Sequence, residues 1–158
     1  MVWMSSSRAV PFTTTLKVRD TCLCLHVQRA ARALARRFDE ALRPVGLTNG
    51  QFSLLMSLNR PEPPSIGAIA ALLARDRPTL TAALKPLERR GLVRVTPDPN
   101  DRRGRLLLLT AKGHEALAAA APIWEATHRD VEAGVSGNVD QLRLNLRELC
   151  QAPGASCT

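Results

Sequence analysis

The sequence predicts a mainly helical chain that carries one small β-hairpin. Three observations lead to this fold class. Apolar residues recur at steps of three and four, capping residues separate the periodic stretches, and two extended segments flank a polar linker near residue 100. With 158 residues, 45% of them apolar, the chain is long enough to bury a core. Its longest apolar run is far short of the ~20 residues that span a bilayer, so we expect no membrane partner.

The N-terminal part divides into an arm and a helix. Residues 1–17 are rich in Ser and Thr and show no periodicity, so we expect a flexible arm. From Asp20 onward one apolar stripe follows a helical period: Cys24, Val27, Ala31, Leu34, Phe38 and Ala41. This helix should stop before Pro44, and we assign residues 18–46 to dimerisation.

Capping residues mark the next three helices. Thr48 followed by Gln51 has the spacing of a capping box and opens the second helix. Ser65 and Asp76 can cap the third and fourth helices. Gly91 follows the fourth helix as a C-terminal cap residue.

A hairpin follows these helices. The extended segments are residues 92–96 and 105–109, and the linker at residues 97–104 is polar and rich in turn formers, which predicts a loop. Two short adjacent helices followed by a basic hairpin form a winged helix-turn-helix. We assign residues 47–110 to this module.

The last helices lie at residues 111–150 and precede a tail at residues 151–158. Thr110 caps a long helix to about Ala133, which we expect to bend at Pro122. A final helix runs from about 138 to 150. The outer helices carry more apolar length than the small module can cover, which indicates packing against another chain.

Positive charge is concentrated between Arg75 and Arg105. This stretch holds nine basic and four acidic residues, so it supplies +5 of the net +8 of the chain. Such a concentration indicates a nucleic-acid partner. Aromatic residues make up only 3% and Tyr is absent, which argues against stacking on single strands and favours a duplex.

Three motifs in fixed order carry a family resemblance. Residues 87–93 read LERRGLV, residues 98–103 read DPNDRR, and residues 109–113 read LTAKG. Over about Asp20 to Leu149, the chain resembles the MarR family of bacterial winged-helix repressors. The resemblance implies a homodimer with intertwined terminal helices, a recognition helix in the major groove and a wing in the minor groove.

The candidate DNA contacts lie on the predicted recognition helix, on the wing and at the start of the preceding helix. Thr and Lys can contact base edges or phosphates, and helix N-terminal amides add phosphate contacts. The resemblance implies that Arg103 enters the minor groove and that Asp101 orients it. Pro78 and Ala82 stand where many members carry Ser and Arg, so no operator sequence follows. The full set is Ser65, Arg77, Pro78, Thr79, Thr81, Ala82, Lys85, Asp101, Arg102, Arg103 and Arg105.

One candidate signal is thiol oxidation. Asp20 four residues before Cys24 resembles the organic-hydroperoxide-sensing branch of the MarR family, although the Tyr residues of that branch have no counterpart here. A helix N-terminus favours the thiolate that peroxides oxidise. Cys150 is a candidate resolving thiol and Cys22 a further sensor residue, whereas Cys157 lies in the tail. The alternative is that Cys24 packs in the core as a small apolar residue.

A second candidate signal is a small aromatic or lipophilic effector. The resemblance implies a pocket between the dimerisation helices and the DNA-binding module, for which the candidates are His26, Phe52, Met56, Trp124 and His128. Ordinary packing is the alternative for each of them. An effector would act by favouring one separation of the two recognition helices.

Several classes of function are excluded or set aside. No nucleophile elbow, phosphate loop or metalloprotease motif is present, so we expect no enzyme, no cofactor and no metal. The absence of a signal peptide and of a disulfide framework indicates a cytoplasmic bacterial protein associated with the nucleoid. We therefore expect a homodimeric regulator, more a repressor than an activator, on a pseudo-palindromic operator. A non-specific basic DNA-architectural protein is the rival class.

Overall fold

The computed structural model describes residues 9–151, and it confirms a mainly helical chain with one hairpin. The chain divides into two compact units, the N-terminal unit up to Arg37 and the main unit from Phe38. The elements are α1 (Phe12–Thr21), α2 (Leu23–Leu42), α3 (Asn49–Leu58), α4 (Ile66–Leu72), α5 (Arg77–Arg89), β1 (Val93–Asp98), β2 (Asp101–Leu109), α6 (Ala111–Ala133) and α7 (Val139–Gln151).

The N-terminal unit differs from the prediction. The arm expected at residues 1–17 is helical from Phe12, so that part of the prediction was wrong, and residues 1–8 lie outside the described part. The helix expected from Asp20 is divided at Cys22, whose extended backbone separates α1 from α2. α1 buries none of its side chains within the chain and is rich in Thr, so apolar periodicity gives no signal for it.

The main unit is built around one apolar core, to which α3, α4, α5 and β2 all contribute. Its most deeply buried large side chains are Leu42, Leu54, Leu55, Ile69, Leu80, Leu84, Leu87 and Leu107. Because α5 supplies three of these leucines, its orientation is fixed by the core. Its opposite face is therefore presented to solvent.

The predicted caps are confirmed. At α3, Gln51 N–H donates to Thr48 Oγ1, and Thr48 N–H donates to Gln51 Oε1, each at 3.2 Å. Ser65 and Asp76 accept in the same way from the backbone N–H of the third residue of α4 and of α5. Gly91 ends α5 with φ +70°, a left-handed conformation that favours glycine.

The hairpin, called the wing below, is longer than predicted. Its register runs from Val93 opposite Leu109 to Asp98 opposite Asp101, so the loop expected at residues 97–104 is mostly strand. The loop was predicted because these residues are polar and therefore not buried. The outer part of a two-stranded ribbon does not need to be buried, since hydrogen bonds between the two backbones are enough to form it. At its inner end, Leu107 N–H donates to Pro64 O at 2.9 Å, which ties β2 to the loop before α4.

The terminal helices of the main unit agree with their predicted extents, and α6 continues through Pro122. α7 buries none of its residues within the chain, and Leu142, Leu146 and Leu149 are each more than 40% exposed. Nowhere in residues 9–151 is a helix both long and apolar enough to cross a membrane.

Candidate nucleic-acid interface

The outward face of α5 is formed by side chains opposite its buried leucines. Thr81, Ala82, Lys85 and Arg89 are all exposed, at helical spacings that place them on this side. Pro78 is also exposed, in the first turn, where its missing N–H has no intrahelical partner to lose. α4 and α5 thus form a helix-turn-helix whose second helix is open to a ligand.

Hydrogen bonds within the first turns of α5 use the hydroxyl protons of both Thr residues. Thr79 Oγ1 donates to Asp76 Oδ2 at 2.6 Å, and Thr81 Oγ1 donates to the Arg77 carbonyl at 2.8 Å. The Thr79 hydroxyl and then its backbone N–H lower the pKa of Asp76 below the ordinary carboxyl value. Both Thr side chains therefore offer an outside partner oxygen lone pairs and a methyl group, and no proton.

A groove of about 310 Å³ lies between the helix-turn-helix and the wing. Arg77 lines this groove, and its guanidinium lies close to Gly67. The groove brings together six of the sequence-predicted DNA contacts, which are Ser65, Arg77, Thr81, Asp101, Arg103 and Arg105.

A second groove follows the outer face of α5 toward its C-terminus. Ala82 and Lys85 line it together with Pro86, Glu88 and Arg89. Arg89 was counted in the charged stretch but was not singled out from the sequence. Its position one helical turn beyond Lys85 was a signal that could have found it. The remaining candidates, Pro78, Thr79 and Arg102, are exposed.

Asp101 acts differently from what the family resemblance implies. Its Oδ1 accepts the backbone N–H of Arg103 at 2.9 Å. Among the ion pairs of residues 9–151, none joins Asp101 to the Arg103 guanidinium. The carboxylate thus holds the main chain of the wing tip, and the guanidinium of Arg103 stays available.

The guanidinium groups of two further arginines of the basic stretch lie near the start of α3. Arg90 donates from its guanidinium to Gln51 Oε1 at 3.4 Å, and the Arg75 guanidinium lies near Gly50. Their charge adds to the positive end of the α3 dipole. Nothing in the local sequence distinguishes them from other exposed arginines.

The candidate sensor cysteines are placed as follows. Cys24 is exposed as the second residue of α2, and its Sγ accepts from Gln28 Nε2 at 3.1 Å. The expectation that it packs in the core of the chain was therefore wrong, because helix α2 carries its buried residues only near its end, at Phe38 and Leu42. Cys22 is half-buried in the break before α2, and Cys150 is exposed on α7.

Asp20, the acidic residue four positions before Cys24, is paired with Arg19. Asp20 accepts two hydrogen bonds from the Arg19 guanidinium at 2.6 and 2.9 Å, which lower the pKa of its carboxyl. Because the helix break at Cys22 separates Asp20 from Cys24, the two do not share one continuous helix.

Three candidate pocket residues stack on one another. The Trp124 ring lies 6.0 Å from Phe52 and 4.7 Å from His128 between centroids, and both pairs are near parallel. His128 Nε2 pairs with Glu132 Oε1 at 3.0 Å. Ring faces that are in contact with one another are not open to a ligand in this conformation. Met56 is exposed, and His26, in the N-terminal unit, contacts the Asp20 carbonyl at 3.2 Å. Within residues 9–151, no three His, Cys, Asp or Glu residues cluster closely enough to hold a metal ion.

The exposed second helix, the basic wing and the grooves beside them define a winged helix-turn-helix DNA-binding protein. Residues 47–104 match the family model described as "MarR family". With the DNA complex of the transcriptional regulator MosR from Mycobacterium tuberculosis, the chain shares 39% identity at a TM-score of 0.78, covering 85% of this chain and 98% of that one.

Two other regulators are also similar. The repressor CouR bound to a 23-mer DNA duplex is 33% identical at a TM-score of 0.69, covering 85% of this chain and 94% of CouR. CouR from Rhodococcus jostii RHA1 has also been solved with p-coumaroyl-CoA, at 25% identity, a TM-score of 0.68, and coverage of 84% and 92%. The transcriptional regulator HosA of Escherichia coli O111:H- is 34% identical over 101 residues, 63% of this chain and 74% of HosA. The chain belongs to the MarR family of DNA-binding transcriptional regulators, and it is not an enzyme.

Proposed function

We propose that the chain is a homodimeric repressor that binds a pseudo-palindromic duplex operator and acts in the cytoplasm on the nucleoid. The observation that carries this proposal is the groove between the helix-turn-helix and the wing, which Arg77, Arg103 and Arg105 line together. One such surface per subunit, related by a two-fold axis, calls for half-sites about one helical turn apart.

Dimerisation is supported by apolar side chains that the single chain leaves uncovered. On α7 these are Leu142, Leu146 and Leu149. In the N-terminal unit, Leu23, Val27 and Leu34 are exposed as well. A second copy of the same chain can bury both sets, as symmetric dimers of small helical proteins do.

Operator binding tests this proposal. Fluorescence anisotropy with DNA from upstream of the gene, and with a scrambled duplex of equal length, should give a clear preference for the former. The observed affinity should fall steeply with salt, because phosphate contacts release counterions. Salt-dependent binding with no sequence preference would instead establish the architectural role.

Thr79→Ala should change base preference more than overall affinity. Because the hydroxyl proton is held by Asp76, Thr79 can only accept a hydrogen bond or contact a thymine methyl. We expect discrimination between the operator and single-base variants to fall by about tenfold at one position. Thr79→Val keeps the Thr methyl group and replaces the hydroxyl with a second methyl, so it distinguishes the methyl contact from the hydrogen bond. A uniform loss of affinity on every duplex would show that Thr79 does not contact bases.

We also propose that oxidation of Cys24 releases the operator. Cys24 is exposed, lies in the first turn of a 20-residue helix and receives a hydrogen bond from Gln28. Its exposure leaves the sulfur atom accessible to a peroxide. The resemblance to the hydroperoxide-sensing branch implies supporting Tyr hydroxyls; this chain has no Tyr, and Gln28 supplies the hydrogen bond to Cys24.

The proposed oxidant is an organic hydroperoxide, the class that the resemblance to the hydroperoxide-sensing branch implies. The Cys24 thiolate attacks the terminal peroxide oxygen, the O–O bond breaks, and the alcohol leaves with the proton that the medium supplies. The sulfenic acid then condenses with a second thiol and releases water, which forms a disulfide. Cys150 of the partner copy and Cys22 are the candidate second thiols.

Peroxide treatment of the operator complex tests this signal. Oxidation should release the DNA from the wild type and leave the Cys24→Ser complex intact. Cys22→Ser and Cys150→Ser serve as matched variants that identify the resolving thiol. Without that thiol the sulfenic acid cannot form a disulfide, so the variant that lacks it should gain the mass of one oxygen on oxidation. If the Cys24→Ser complex is released as readily as the wild type, Cys24 is not the sensor. Unchanged binding of the wild type after oxidation would favour the small-molecule effector in its place.

A further inference from the structure

The N-terminal unit holds a second concentration of positive charge. Its described part, residues 9–37, contains six basic residues and one acidic residue, so its net charge is +5. The stretch from Arg75 to Arg105 also carries +5, whereas the net charge of the whole chain is +8, so the remaining residues sum to −2. Positive charge of this size on a separate unit is typical of a surface that binds a polyanion.

Three of these basic residues form one row along α2. Arg29, Arg32 and Arg36 follow one another at helical spacing, and all three are exposed. At about 100° per residue, the row lies on the side of α2 nearly opposite to the exposed Val27 and Leu34. A second copy that covers these apolar side chains therefore leaves the row of arginines, called the arginine face below, open.

A groove of about 650 Å³ runs along the arginine face. Ala30 and Ala33 lie between the arginines and complete its lining together with His26. Because the alanine side chains are short, an extended ligand can approach α2 closely and meet the guanidinium groups. All the residues that line this groove belong to the N-terminal unit, so it shares none of them with the groove between the helix-turn-helix and the wing.

The arginine face has no anionic partner within the part of the chain that the structure describes. None of its three arginines takes part in an ion pair of residues 9–151, and Arg32 donates to the neutral Gln28 Oε1 at 3.4 Å. Asp20, the acidic residue of the same unit, is paired with Arg19. Like charges three and four residues apart on a helix repel one another, so an anion that lies across the row would be stabilised by all three.

The phosphate backbone of duplex DNA fits this face. A guanidinium group can donate two parallel hydrogen bonds to a phosphate. The row spans about 10 Å along α2 from Arg29 to Arg36. Because successive phosphates of one strand are about 3.4 Å apart along the duplex axis, a row of this length can contact about three of them. Phosphate contacts carry no sequence information, so a duplex of any sequence is a ligand.

We therefore propose that the arginine face binds the backbone of a second DNA duplex while the operator surface holds the first, so that the protein bridges two stretches of DNA. The proposal rests on operator binding, because the main unit must hold the first duplex. The two surfaces share no residue, so occupation of one does not use the side chains of the other. An acidic protein segment could meet the same charges, but a DNA-bound regulator is surrounded by phosphates at high local concentration, which favours DNA.

A capture experiment tests this proposal with the full chain. A short duplex from upstream of the gene is fixed to beads, the protein is bound to it, and a fluorescent duplex of unrelated sequence is added. The retained protein should capture the second duplex, and capture should fall steeply with salt because phosphate contacts release counterions. Retained protein that captures no second duplex would overturn the proposal. If the beads retain no protein, the operator proposal fails and bridging fails with it, and measuring the retained protein tells the two failures apart.

Two double variants locate the contact. Arg29→Gln combined with Arg36→Gln should weaken capture by at least about tenfold and leave retention on the first duplex unchanged. The slope of log affinity against log salt concentration should shrink by about two, since two phosphate contacts are lost. Arg60→Gln combined with Arg129→Gln is the matched control, because it removes the same charge at exposed positions outside the groove. Equal capture by the two double variants would rule out the arginine face as the binding surface.

Two further comparisons separate the other sources of an anion. If polyglutamate displaces the second duplex at a lower charge concentration than unlabelled duplex does, the arginine face fits an acidic protein segment better than DNA, and the proposal is wrong. The remaining source is DNA beside the operator. If the wild type captures no second duplex and Arg29→Gln with Arg36→Gln weakens retention on a longer first duplex, the arginine face contacts the flanks of the operator, which contradicts bridging.

Discussion

Gly113→Ala should lower the free energy of unfolding by about 3 kcal/mol and the melting temperature by about 10 °C. A Cβ atom built at Gly113 would lie 2.1 Å from the Leu92 carbonyl oxygen and 3.1 Å from Leu109 Cδ2. The carbonyl belongs to the main chain and cannot turn aside as a flexible side chain would. Either α6 or the start of β1 must therefore move.

The contact cannot relax locally because the same few residues are tied together. Thr110 N–H donates to Leu92 O at 3.1 Å, and Thr110 Oγ1 donates to Gly91 O at 2.6 Å. The same Oγ1 accepts from Gly113 N–H at 3.0 Å, which caps α6. Displacing the helix to make room for a methyl group would break this set of bonds together.

Thermal and urea unfolding followed by circular dichroism measure the effect. Glu115→Ala, at an exposed position of the same helix, should change stability by less than about 0.5 kcal/mol. The loss of stability in Gly91→Ala should lie between those of the other two variants. No atom lies within 4 Å of the Cβ position of Gly91, so only its positive φ is unfavourable for alanine. If Gly113→Ala were as stable as Glu115→Ala, the close approach of α6 to Leu92 would be wrong.

The sequence predicted the parts of the fold that depend on local interactions, namely helix caps and helices with one apolar face. Thr48, Asp76 and Thr110 each precede a helix and accept the hydrogen bond that a cap requires. The helix expected after the Asp76 cap is present, and its Leu80, Leu84 and Leu87 are buried. Such features depend on neighbours three or four positions away, so they are visible in the sequence.

The features that sequence reasoning missed depend on distant neighbours or on backbone pairing alone. α1 has no buried face within the chain and therefore no apolar period. The stack of Phe52, Trp124 and His128 joins α3 to α6 across more than seventy residues. Ala74, in the turn between α4 and α5, has φ +49°, a conformation for which an alanine gives no signal.

The sequence predicted which residues form the candidate DNA surface. It did not predict which of them can donate hydrogen bonds to DNA. The sequence shows where the positive charge is concentrated, and the six residues around the groove were all named from it. What the sequence does not show is which polar groups are already bonded within the chain. Thr79 and Thr81 donate internally, and Asp101 accepts from a main-chain amide. The donors left on this surface are the arginines, Lys85 and the Ser65 hydroxyl, which within the chain only accepts.

Arg103→Ala should therefore weaken operator binding by about 10- to 100-fold, with the largest effect on operators flanked by A·T base pairs. Arg103 is exposed at the start of β2, and Asp101 fixes its backbone and leaves its guanidinium available. A narrow A·T-rich minor groove has an enhanced negative potential that attracts a guanidinium placed in this way. The loss should shrink when G·C pairs replace the flanks.

Two variants separate charge from geometry at this position. Arg103→Lys keeps the charge and should restore only part of the binding, because a strongly hydrated ammonium group loses more of its solvation in a narrow groove than a guanidinium does. Asp101→Ala should reproduce part of the Arg103→Ala defect, since the wing tip then loses the bond that holds the Arg103 amide. Anisotropy titrations on A·T-flanked and G·C-flanked duplexes at one salt concentration measure the affinities of Arg103→Ala, Arg103→Lys and Asp101→Ala. An equal loss on both duplexes would reduce Arg103 to a phosphate contact, and the wing would then contribute affinity without contributing to the choice of operator.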